Sequence, residues 1–166
     1  VTGQRYDYHG IVEEEGKSLA VEHWQEHIRT LLVDTRLVSI GRALNLMIIA
    51  FSPGGDLGDE SVRLHVQCPM RFRHRDSLLI GSGDLAFERP ETGEKRYDTR
   101  AAEFNSVLKG EVVRVEDVRH GPAGSLSVEC SGGLFIEVFP ATLRHVEAWR
   151  VLRVGDEHFG YPPDLI

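Results

Sequence analysis

From Val62 to Arg73 the chain alternates without a fault. Val62, Leu64, Val66, Cys68, Met70 and Phe72 share one parity. Arg63, His65, Gln67, Pro69, Arg71 and Arg73 share the other. A strand has a side-chain period of two, so this stretch predicts one buried face and one wet face. His74-Arg75-Asp76 then reads as a turn, and Leu78-Leu79-Ile80 as the returning arm. A chain organised around such a hairpin is sheet-rich and needs a core on one side of it.

Length allows that core. The 166 residues suit one domain over 1–166. Hydrophobic residues make up 41% and charged residues 27%, a balance that favours neither disorder nor a membrane class. The longest near-apolar run, Ala43 to Phe51, is too short to span a bilayer, and no secretory signal pattern opens the sequence. A cytoplasmic location is the expectation. The formal net charge of −7 disfavours nucleic acid as a partner, since phosphate neutralisation needs a surplus of Lys and Arg. Two cysteines, Cys68 and Cys130, form no CxxC pair, which excludes a Cys-rich zinc site. Both lie on apolar parities and read as buried reduced thiols.

Residues 1–17 read as an irregular lead-in with a short strand near Tyr6 to Val12. Ser18 offers an N-cap, and Val21, Trp24, Ile28, Leu31 and Leu32 follow at helical spacing, predicting an amphipathic helix near 19–32. Leu37 to Ser52 fits either strand or helix periodicity. Gly41 and the β-branched residues favour two strands, or one strand bent at Gly41. Pro53 to Asp59 is a loop. Asp98 is placed to cap a short helix near 99–108, with Ala101, Phe104 and Leu108 inward and Gly110 beyond its end. Glu111 to Val118 and Ala148 to Val154 read as strands, and the tail from Gly155 as surface chain.

The hairpin over Ser125 to Phe139 has an arguable register. A two-residue Gly132-Gly133 loop would pair Val128 with Glu137 and set a carboxylate among core residues. A three-residue loop, Ser131-Gly132-Gly133, pairs Cys130 with Leu134, Val128 with Ile136 and Leu126 with Val138, so all apolar residues share a face. It also sets Gly133 at the left-handed position such a turn needs. The expected fold is therefore α+β: about seven mostly antiparallel strands in a half-barrel or sandwich, with two helices.

Several segments carry a resemblance. LHVQCPMRF followed by IGSGD, then SGGLFIEVFP and EAWRV, resemble a group of small bacterial proteins of actinobacterial type whose function is unassigned. In that pattern a Q-C-x-x-R strand precedes a return strand ending in G-S-x-D, and a Gly-Gly hairpin precedes a Trp-containing last strand. The matching positions include Gln67, Cys68, Arg71, Gly81, Ser82, Asp84, Gly132, Gly133, Phe139, Pro140, Trp149 and Arg150. Met70 departs from it, since the pattern has an aromatic residue there. The resemblance covers roughly 37–152; it implies a shared fold and brings no activity.

Three groups of residues invite a chemical reading. His23-Trp24-Gln25-Glu26-His27 spells H-x-x-E-H, the inverted zinc-protease pattern, in which two histidines bind zinc and the glutamate activates water. Glu103 on the second helix is the candidate third ligand. The plainer reading is an exposed polar helix face, with no cofactor. Arg63, His65, Arg71 and Arg73 leave one strand on one side and form a candidate site for an anion or an acidic partner. The plainer reading there is a solvated outer face, with Glu129 or Glu137 opposite the arginines as an ion-pair ladder. Gly81-Ser82-Gly83-Asp84 lacks the lysine and helix of a phosphate loop and reads as a turn. The function expected from these residues is a non-enzymatic binding or interaction module. The alternatives are a small zinc-dependent hydrolase using His23, Glu26 and His27, or a half-barrel that binds a small ligand.

Overall fold

The computed structural model describes residues 15–141, 146–156 and 158–163, with side chains from His23 onward. The strand expected near Tyr6 to Val12 and the side chain of Val21 lie outside the described residues.

The fold is α+β and mostly antiparallel. Among the described residues, ten strands form two five-stranded sheets that do not close into a barrel. Sheet A has the order β1 (Arg36–Ala43), β2 (Leu46–Ser52), β3 (Val62–Val66), β9 (Trp149–Arg153), β10 (His158–Tyr161). Sheet B has the order β5 (Ser77–Gly81), β4 (Met70–His74), β8 (Leu134–Val138), β7 (Leu126–Cys130), β6 (Val115–His120). Their inner faces bury one shared core of Ile49, Phe51, Leu64, Phe72, Val128, Ile136 and Trp149 among others.

The alternation over Val62 to Phe72 holds throughout: each even position is buried, and each odd position is half-buried or exposed. It does not belong to one strand, however. The ribbon leaves sheet A after Val66 and enters sheet B at Met70. Gln67 N–H still bonds the Ala148 carbonyl on the sheet A side, and the Pro69 carbonyl accepts from Phe139 N–H on the sheet B side. Cys68, 6% exposed, points into the core at the corner. Proline suits this corner because a residue with no N–H loses nothing where a ladder is interrupted. Strands that switch sheets at such corners are how packed sheets share one core.

The second hairpin has the register argued from parity. Cys130 pairs with Leu134, Val128 with Ile136 and Leu126 with Val138. Both loop glycines are left-handed, Gly132 at φ 76° and Gly133 at 79°. Leu37 to Ser52 is two strands joined through Leu44-Asn45, with Gly41 running straight through its pairing with Ile48.

Two α-helices among the described residues pack against the sheets. α1 (Glu15–Leu32) starts before Ser18, so that residue is inside the helix instead of capping it. Its Ile28 and Leu32 are fully buried, and it packs on β6, β9 and β10. α2 (Arg96–Gly110) packs on β1 and β5. Asp98 is in its first turn instead of capping it, and its carboxylate takes Arg42 of β1 at 2.5 Å. That pair holds the Asp98 carboxyl below its ordinary range. The tail is not all irregular surface chain, because it supplies edge strand β10 with Gly160 and Pro162 buried. No helix among the described residues is long and apolar enough to cross a membrane.

Candidate functional site

The sheet switch at Cys68 decides where the four basic candidates go. Arg63 and His65 lie on the outer face of sheet A, and Arg71 and Arg73 on that of sheet B. The row expected along one strand is therefore two separate pairs. Arg63 Nε donates to the Glu60 carbonyl at 3.2 Å, and its guanidinium stands 3.7 Å from the Glu60 carboxylate. His65 faces Arg150 in the β3–β9 register, and its Nε2 is buried with no hydrogen-bond partner. Burial, reinforced by Arg150 and Arg63, pushes its imidazole pKa below the ordinary value.

The pair on sheet B is built differently. In the β4–β8 register Arg71 faces Glu137 and Arg73 faces Phe135. Arg71 Nε donates to Glu137 Oε2 at 2.6 Å, and Arg73 Nε lies 3.1 Å from Oε1. One carboxylate thus holds both guanidiniums side by side. Burial alone would raise the Glu137 carboxyl, but the two arginines outweigh it and hold the group below its ordinary range. The Arg73 guanidinium carbon sits over Phe135, 3.8 Å from the ring centroid, and that of Arg71 lies 5.2 Å from the Phe139 centroid. Arg73 also donates through a terminal nitrogen to the Arg75 carbonyl at 2.7 Å.

Arg75 joins them from the β4–β5 turn. Its backbone N–H bonds the Gly133 carbonyl at 2.8 Å, and the His74 ring contacts the Gly132 carbonyl at 3.0 Å. The two hairpin turns are thereby pinned together. The Arg75 guanidinium has no bonded partner among the described residues. Arg71, Arg73, Arg75, Asp76, Leu78 and Glu137 line an open concavity of about 480 Å³. Three guanidiniums meet two carboxylates there, so the surplus is positive on a chain of net charge −7.

Sequence reasoning placed Arg75 in a turn and missed the aromatic floor. The β7–β8 register already turns Phe135, Glu137 and Phe139 outward, but nothing local shows that β4 lies beside β8. Glu137 does meet the arginines, whereas Glu129 bonds Arg119 of β6.

The zinc constellation is not assembled. His23 and His27 touch edge to face at 4.2 Å, the His27 ring nitrogen Nδ1 contacts the His23 carbonyl, and the other side of His27 stacks on Phe159 of β10. Glu103 is on α2, which packs on β1 and β5, away from the strands that carry α1. No group of three His, Cys, Asp or Glu side chains suited to a metal occurs among the described residues.

Ser82, Asp84 and both cysteines are engaged within the fold. Ser82 Oγ accepts from Met70 N–H, and Asp84 accepts from Gly81 N–H and Arg96 Nε, so the GSGD turn ties β5 to β4 and α2. Burial raises the Cys68 thiol to about 11 and the Cys130 thiol to about 12, which leaves neither nucleophilic. Trp24, His120 and Tyr161 help line a smaller slot of about 260 Å³ beside α1. The rings of His120, Trp24 and Trp149 pack as a three-way cluster, with centroids 5.3 Å (Trp24–His120), 6.1 Å (His120–Trp149) and 5.6 Å (Trp24–Trp149) apart, and the His120 Nε2 is buried with no hydrogen-bond partner among the described residues.

No family model, curated protein or solved structure matches this chain. The reading of function therefore rests on this geometry alone.

Proposed function

We propose that the chain is a non-enzymatic, cytoplasmic binding module whose working face is the outer surface of sheet B at Arg71, Arg73 and Arg75. The partner is an anion, best a carboxylate-bearing segment of another protein. One observation carries the reading: Glu137 engages Arg71 and Arg73 through their Nε atoms, while the Arg75 guanidinium beside them has no bonded partner among the described residues. Binding through Nε orients a guanidinium without using up its donors, and a planar fork held on an aromatic floor is set up to receive a carboxylate. Arg63 and His65, on the other sheet, have no share in this site.

Titration of a labelled hexaglutamate peptide tests the reading. The intact protein binds it, binding weakens as salt rises, and Arg75→Glu weakens it at least about tenfold with an unchanged melting curve. Absence of binding at low salt, or indifference to Arg75→Glu, refutes the site.

A further inference from the structure

The arginine concavity does not end at the β4–β5 turn. Leu78 lines it and also lines a second, apolar groove of about 250 Å³ between β5 and α2. Leu79, Ile80, Phe104 and Val107 form most of that groove. Two of its side chains are large and left open: Leu78 is 65% exposed and Val107 53%. β5 is an edge strand of sheet B, and Arg100 of α2 donates to the Leu79 carbonyl at 2.8 Å across the groove. A strand edge, a helix flank and a cationic end thus form one continuous track.

We infer that this track receives a short extended segment of a partner protein, acidic at one end and apolar at the other. The inference rests on the binding-module reading and adds the form of the partner. Charge complementarity selects the acidic half: Arg71, Arg73 and Arg75 crowd one end, and among the described residues only Asp76 and Glu137 line the same concavity with negative charge, which leaves a positive surplus. The apolar half follows from Leu78 and Val107, exposed side chains whose burial is favourable in proportion to the area covered. The partner is extended because the track runs along a strand edge, and six extended residues reach roughly 20 Å. An anionic bilayer is a poorer fit. The surface is concave, Asp76, Glu103 and Glu137 stand within it, and the chain carries a net charge of −7.

The test uses three labelled six-residue peptides of two compositions on the full chain at about 50 mM salt, where exposed charges are weakly screened. One is hexaglutamate; the other has three glutamates joined to leucine, valine and leucine, made in both orders. The mixed peptide, in one order, binds at least about tenfold tighter than hexaglutamate, a gain expected for apolar side chains entering the groove. Arg75→Glu weakens both peptides. Val107→Asn, at a residue outside the arginine concavity, removes only the advantage of the mixed one, and Val107→Ser reduces it if that variant folds poorly. Hexaglutamate binding that Arg75→Glu abolishes, with no advantage for either mixed peptide, overturns the apolar half and leaves the anion site standing. Failure of all three peptides overturns both. Binding to phosphatidylserine vesicles that Val107→Asn abolishes, without peptide binding, makes the track a membrane contact and overturns the inference.

Discussion

Arg71 and Glu137 stand opposite each other on β4 and β8, joined by a bond of 2.6 Å, and the same carboxylate reaches Arg73. Glu137 is therefore both the organiser of the arginine pair and a competitor for it. Glu137→Gln keeps the shape and removes the charge. It lowers stability by about 1 kcal/mol, the scale of a partly exposed pair, and tightens binding of hexaglutamate. Paired melting and titration curves check the two effects, and weaker binding would mean that the carboxylate serves only to orient the guanidiniums.

Phe72 is fully buried and meets Phe104 of α2 at 5.5 Å between ring centroids. Phe72→Ala removes this aromatic contact between sheet B and that helix. Denaturant titration should show a loss of about 3–5 kcal/mol.

Gly124 and Gly132 form a matched pair. Their φ angles are 75° and 76°, but a Cβ on Gly132 meets nothing within 4 Å, whereas one on Gly124 lands 2.4 Å from the Tyr161 ring. Gly132→Ala should cost about 1 kcal/mol for left-handed backbone alone. Gly124→Ala should cost about 1–3 kcal/mol more, because the Tyr161 ring must move. Equal losses in the two variants would show that the ring yields freely.

Two histidines make stability depend on pH. His65 and His120 both have a buried, unpartnered Nε2, and burial lowers both pKa values below the ordinary 6.5. Arg150, Arg63 and His158 add to the lowering at His65 and Glu147 opposes it; at His120 the Gln25 backbone opposes it. The unfolded chain then binds these protons at higher pH than the folded one does. The stability is fully present above about pH 6.5 and is lost as pH falls through that value toward the folded-state pKa. Melting temperature should drop between pH 8 and pH 5.5, and His120→Phe, which keeps a ring packed against Trp24 and Trp149, should flatten part of the drop.

Much of the fold was legible because apolar parity is a local signal. The pairing of Cys130 with Leu134 followed from one constraint, that a carboxylate at Glu137 does not belong in the core. The extra strands and the division of the basic row were not legible. Gln67-Cys68-Pro69 continues the same alternation through the corner, so the change of sheet leaves no break in the pattern. The candidate site was half visible for a related reason. Arg71 and Arg73 announce themselves on β4, but Phe135 and Phe139 reach them only through a β4–β8 pairing of distant segments. In the zinc reading, the spacing of His23 and His27 was right for one helix face, but Glu103 had to be supplied by topology, and α2 lies on other strands.

The corner at Cys68 also dictates how the gene can change length. β3 and β4 are in phase across Gln67-Cys68-Pro69, so both sheets take their inward side chains from one unbroken zigzag. One codon inserted there would turn either Leu64 and Val66 or Met70 and Phe72 out of the core, since a one-residue slip inverts every side chain that follows. Two codons would restore the phase and only lengthen the bend. Insertions and deletions at this point are survivable in even numbers, a reading-frame rule imposed by the fold instead of by translation.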